Sequence, residues 1–224
     1  MSSIVISGNT SGAITLAAPA IAGSNTLTLP LATDTLAGIA ATQTLTNKTL
    51  VAPALGTPAS GVLTNCTGVP AAALPAGSVL QVKNFQTGTL ATGTTLIPYD
   101  NTIPQITEGT EFMTLAITPI SASSKLQITV TANLSTGADG LLVCALFQDA
   151  VANALAVGMA YGLNGNNMVT TFSHTMTSGT TSATTFRLRA GQNNAGTNTF
   201  NGRGSAAFYG GTFASSITIT EIAA

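Results

Sequence analysis

Residues 125–132 read Lys-Leu-Gln-Ile-Thr-Val-Thr-Ala, and apolar and polar side chains alternate through them without a break. In an extended chain successive side chains point to opposite faces, so Leu126, Ile128, Val130 and Ala132 share the face that seeks a core. The same alternation returns in Thr185-Phe186-Arg187-Leu188-Arg189-Ala190, in Met113-Thr114-Leu115-Ala116-Ile117-Thr118 and in Ser216-Ile217-Thr218-Ile219-Thr220. Between these runs lie turn-forming clusters at residues 137–140, 164–167, 178–181 and 191–201. About eight strands at such spacing predict an antiparallel β-sandwich, with a jelly roll as first choice. No segment sustains a 3.6-residue period, so almost no helix is expected.

Working outward, the strong strand signals all fall in residues 77–224, which also hold all eight Phe and all three Tyr. Residues 1–76 read differently. Their only charged residues are Asp34 and Lys48, where an average composition would give about 19. Short runs such as Ile14-Thr15-Leu16 and Thr26-Leu27-Thr28-Leu29 are interrupted by Pro19, Pro30, Pro53, Pro58, Pro70 and Pro75. Leu45-Thr46-Asn47-Lys48-Thr49 is echoed by Leu63-Thr64-Asn65-Cys66-Thr67. Such short strands, without an aromatic residue, bury little on their own. Winding three copies about a common axis would cover them, so a homotrimer with an attachment or shaft region at 1–76 and a β-sandwich head at 77–224 is expected.

Composition narrows the function. Only 6% of the residues are charged, against about 25% in ordinary soluble domains, while 39 are Thr and 35 are Ala. The six basic residues are scattered and form no stripe for a phosphate backbone, so nucleic-acid binding is not expected. Arg187 and Arg189 read as a solvated or salt-bridged strand face. The apolar stretch 141–160 contains Gln148, Asp149 and Asn153 near its middle; it reads as two buried strands joined by a turn, not as a membrane span. The start, Met1-Ser2-Ser3-Ile4, has no basic n-region, so a secretory signal is not expected. Cys144 lies in an apolar run and reads as a small buried residue, and Cys66 lies in a turn-rich segment; neither predicts a disulfide framework or a metal site.

Catalysis finds little to work with. The single His, His174, shares a strand face with Met168, Phe172 and Met176, and the set reads as core or trimer interface, with His174, Phe172 and Met176 as the interface residues. Glu108 and Glu111 read as a solvated turn, not as a hydrolytic pair. No enzyme activity, cofactor or metal is expected. Binding remains: Asn164, Asn166, Asn167, Gln192, Asn193, Asn194, Asn198, Asn201 and Tyr209 are candidate contacts to a host surface glycan or protein.

Two sets of phrases resemble a known family. Residues 43–50 (Gln-Thr-Leu-Thr-Asn-Lys-Thr-Leu), 53–58 and 61–70 resemble stretches of tailed-bacteriophage fibres. Ile117-Thr118-Pro119 with residues 123–126, then residues 181–188 and 216–222, are similar to a terminal β-domain of such fibres. The resemblance implies a virion structural protein assembled in the bacterial cytoplasm, and a trimeric head like that of tumour-necrosis-factor-like proteins. Its N-terminal region would then dock on another virion protein. Tail-side attachment to the host cell is the expected role; a capsid head fibre or decoration protein is the alternative, and a secreted bacterial trimeric adhesin a weaker one.

Overall fold

The computed structural model describes residues 3–7, 10–17 and 74–224. The chain divides into two units, Met1–Gly61 and Val62–Ala224. In the first, β1 (Ser3–Ser7) and β2 (Ala13–Ala17) form an antiparallel hairpin with Val5 opposite Thr15. Gly12, at φ 81°, supplies the left-handed residue that turns the chain between them. The other strand expectations before residue 74 lie outside the described residues.

The second unit is an antiparallel sandwich, as the alternation predicts. Its eight long strands are β3 (Val79–Thr87), β5 (Thr110–Ile117), β6 (Lys125–Ser135), β7 (Gly140–Gln148), β8 (Ala156–Gly162), β9 (Asn167–Thr177), β10 (Thr184–Gln192) and β14 (Ser215–Ile222). Sheet I runs β9-β6-β14-β3, and short β11 (Asn198–Phe200) and β4 (Ala91–Gly93) extend it beyond the end of β14. Sheet II runs β5-β10-β7-β8. A small hairpin, β12 (Gly202–Arg203) with β13 (Ala206–Ala207), and a 3-10 turn at Tyr209–Gly211 complete the described elements. No α-helix occurs among them.

Inward phases meet in register. Ile128 lies opposite Ile219 on one side and His174 on the other; Val130 lies opposite Ile217 and Phe172. From sheet II, Met113, Ile117, Leu142, Cys144, Leu146, Phe186 and Leu188 close the same core. Phe112 of β5 and Phe200 of β11 stack across it, centroids 4.9 Å apart.

A second, smaller core lies on the outer side of sheet II. Val143, Ala145 and Phe147 of β7 are buried there by Ile97, Ile106 and Ala154. The covering segment, residues 94–109, is tied down at both ends: the Ile97 amide donates to the Gln192 carbonyl (3.1 Å) and the Ile106 amide to Ala152 (2.8 Å). Gly191 makes this possible, since a Cβ there would stand 2.5 Å from the Thr95 carbonyl and 2.9 Å from the Ile97 nitrogen, both backbone atoms. Gly191→Ala is expected to lift this strap at about 1–3 kcal/mol, read as a shift in the urea midpoint with unchanged slope.

One reading of the apolar stretch 141–160 changes. The turn stands at Asp149 (φ 51°), and β7 is buried, but β8 is an edge strand. Its outward side chains Val157, Met159 and Tyr161 are 43%, 60% and 66% exposed, because the strap stops short of them.

Candidate binding surface

The connections β6–β7, β8–β9 and β10–β11 gather at one end of the sandwich. They are braced mostly by backbone and amide groups. The Thr136 hydroxyl donates to the Leu163 carbonyl (2.9 Å), and the Gly165 amide to the Thr136 carbonyl (2.8 Å). Asp139 Oδ1 accepts from the Asn164 amide (2.6 Å), and the Asp139 carbonyl from Asn194 Nδ2 (2.8 Å). The Arg203 guanidinium lies beside Gly165, where a Cβ would meet Nε and Nη2 at 3.4 Å. This end therefore offers amides with one arginine and one aspartate, and is close to neutral.

The candidate contact residues divide. Asn164, Asn166, Asn167, Asn194 and Tyr209 are exposed, and Asn193 is half-buried with Oδ1 accepting from the Leu141 amide (2.8 Å). Gln192, Asn198 and Asn201 are buried and cannot reach a ligand, which corrects their assignment. Gln192 donates to the Ala138 carbonyl (2.8 Å) and accepts from the Gly137 amide (3.1 Å), so it organises the β6–β7 connection from inside. Asn201, at φ 54°, donates to the carbonyls of Thr87 and Thr89 and accepts from the Ser215 hydroxyl (2.6 Å). Asn198 faces inward on β11, in phase with Phe200.

His174, Phe172 and Met176 lie together on the inward phase of β9, each half-buried. Phe172 and Met176 pack against the main core of their own domain. Cys144 is buried; desolvation pushes its thiol up to about 12, slightly opposed by the Thr170 hydroxyl, so no thiolate nucleophile is at hand. Among the described residues no group of three or more His, Cys, Asp or Glu could hold a metal ion. No helix of the described residues is long and apolar enough to cross a membrane. Arg187 and Arg189 share Glu111, at 3.3 and 3.4 Å, as the salt-bridged strand face expected.

Two surfaces escaped the sequence reading. The first is the apolar stripe of β8. The second is the outer face of sheet I, where registered rows run Gln86, Ser216, Thr131, Thr171 and Asn84, Thr218, Thr129, Ser173, then Val82, Thr220, Gln127, Thr175. These twelve neighbouring positions carry no charge, and all but Val82 bear a hydroxyl or an amide. Cross-strand bonds such as Asn84 to Thr218 (2.7 Å) and Thr131 to Thr171 (3.2 Å) hold the face in order. Both surfaces were readable as the outward phases of strands, once the pairing of those strands is known.

Comparison with known proteins places the domain. The family described as the Pgp3 C-terminal domain matches residues 82–224, more than half of the chain. No curated protein matches. Among solved structures, that of the infectious bursal disease virus Gx strain is similar with a TM-score of 0.34 and 12% identity. The likeness covers 65% of this chain and 33% of that one, and is too slight to carry an argument.

The family match overturns the phage expectation. It belongs to a Chlamydia virulence protein, not to a tail-side fibre or a capsid head fibre. The virion location falls with that reading. The physical reason lies in what resembled what. Residues 117–126, 181–188 and 216–222 fall on or beside β5, β6, β10 and β14, whose alternation any jelly roll of this strand order requires. Residues 43–70 lie outside both the match and the described residues.

Proposed function

The chain belongs to the Pgp3 C-terminal domain family, and on that premise we propose that it is a non-catalytic assembly and binding domain. It acts as a homotrimer that presents its loop end to a glycan or protein of a host surface. The observation that carries the proposal is the pair of unlike, uncharged surfaces on one domain. The hydroxyl face of sheet I and the Val157, Met159, Tyr161 stripe of β8 differ in chemistry and lie on different sheets, so each can be covered by the other on a neighbouring copy. Joined head to tail between neighbouring copies, they close a ring, which is how a heterologous interface ends in a finite assembly. Burying an apolar stripe against uncharged hydroxyls leaves no ion without a partner, whereas a charged face would resist it.

Three copies bring three loop ends to one side of the ring. Exposed Asn164, Asn166, Asn167, Asn194 and Tyr209, with Arg203, then act together. Sites too weak singly gain from the high effective concentration of their neighbours. Light scattering on the full chain is expected to give three times 22.3 kDa, about 67 kDa. A 22 kDa species, about the mass of one chain, at micromolar concentration would overturn the proposal.

A further inference from the structure

At the end opposite these loops, the alternation of β14 puts Glu221 on the inward phase, in one row with Gln81, Leu126 and Met176. It is fully buried. A carboxylate in such a place needs donors, and it has them from two elements, β3 and the β5–β6 connection. Oε1 lies 2.6 Å from the Ser124 hydroxyl and accepts from the amides of Ile120 (2.9 Å) and Ser121 (3.1 Å). Oε2 accepts from Gln81 Nε2 (2.6 Å) and again from Ile120 (3.0 Å). Gln81 also donates to the Thr118 carbonyl (2.8 Å). The same connection is tied to the start of the β9–β10 turn: the Ser178 amide donates to Ser124 (2.9 Å) and the Gly179 amide to Ala122 (3.0 Å).

Every one of these donors is neutral. The charged or titratable groups on the neighbouring strands are Lys83, one diagonal step away on β3 opposite Ile219, Lys125 at the next position of β6, and His174 beyond Ile128 on β9. None makes an ion pair with Glu221 among the described residues. The β5–β6 connection and residues 177–184 contribute no charge. The negative charge thus holds the connection by hydrogen bonds to neutral donors.

We propose that Glu221 is a proton-operated latch: the carboxylate holds residues 118–124 against β14 and β3, and its protonation lets that connection go while the sandwich stays folded. A protonated carboxyl would turn an O–H toward a nest already crowded with N–H and O–H groups, and the donors it faces would lose their acceptor. Burial acts to raise the Glu221 value, but the bonds from Ser124, Gln81, Ile120 and Ser121 outweigh it, so the group titrates below the ordinary range. The sign follows. Above the unfolded value, about 4.3, the latch is fully engaged; it is lost as pH falls through the lower folded value.

Hydrogen exchange read by mass spectrometry on the full chain tests it. Wild type, followed from near pH 6 down to the pH at which the Glu221 carboxyl is seen to protonate and corrected for intrinsic rates, is expected to lose at least tenfold protection at residues 118–124 and 178–179 in acid. Strands β7 and β10 are expected to keep theirs. Glu221→Gln, which keeps the shape but not the charge, is expected to show the loosened pattern already near pH 6. Unchanged protection of 118–124 in acid would overturn the latch. So would loss spread evenly over β7 and β10, which would make Glu221 a support of the whole domain; because the wild-type arm uses no variant, a failure of Glu221→Gln to fold leaves the decision intact.

Discussion

Thr129→Lys is expected to reduce the assembly from about 67 kDa to single chains of 22.3 kDa in light scattering. Thr129 stands in the middle of the outer face of sheet I, between Thr218 and Ser173 in register. In the proposed ring this position would face the apolar stripe of a neighbour, with no carboxylate to receive an ammonium group. Desolvating an unpaired charge there costs several kcal/mol per interface, and each 1.4 kcal/mol weakens association about tenfold. Met159→Lys damages the other partner surface and is expected to do the same. The head-to-tail geometry makes a sharper demand when the two variants are mixed. Each retains one intact surface, and the two intact surfaces are complementary, so one interface forms and closure fails. The mixture is expected to show a species near twice 22.3 kDa, about 45 kDa. A Thr129→Lys chain that stays at the trimer mass would show that something other than these faces holds the copies together.

Phe200→Ala is expected to cost about 3–5 kcal/mol, read as a loss of thermal stability of roughly 10 °C. The ring is almost wholly buried and stacks on Phe112 with an interplanar angle of 14°. It belongs to β11, a three-residue strand held to β6 by only two paired positions, so its anchoring depends on the side chain. Removing it leaves a cavity between the two sheets, at the point where sheet I extends past β14. Phe200→Leu fills most of that space and should cost less than about 1.5 kcal/mol. Equal losses for the two variants would show that the site collapses around either side chain and that the stack adds nothing.

How far the sequence carried is clearest strand by strand. The runs at 113–118, 125–132, 185–190 and 216–220 are amphipathic ladders, and each is a strand with the predicted inward face. Period-two alternation survives because one side of each sheet must be dry. Glu221 was legible by the same rule and passed over: it continues the phase of Ile217 and Ile219, so an inward acid could have been read directly. What could not be read is what covers an outer face. Nothing in the 141–160 composition says that the strap buries Phe147 and leaves Met159 bare, because that depends on a segment forty residues away. Gln192, Asn198 and Asn201 failed for a related reason. Amide side chains serve turns and inward-facing strand ends equally well, and only the fold distinguishes them. The family resemblance failed where it rested on alternation that many jelly rolls share.

The position of β14 bears on how the domain is made. It lies between β3 and β6, in the interior of sheet I, although it comes last among the strands. A growing chain on the ribosome therefore holds β3, β6 and β9 with the seam between them open until residues 215–222 have emerged. Until then the inward rows of Ile128 and Val130 lack their partners, and the free edges of β3 and β6 can pair with any neighbouring nascent chain. Closure of sheet I therefore waits for β14. A premature stop that removes only β14 would not shorten the sheet at its border but would withdraw the strand that joins its two halves.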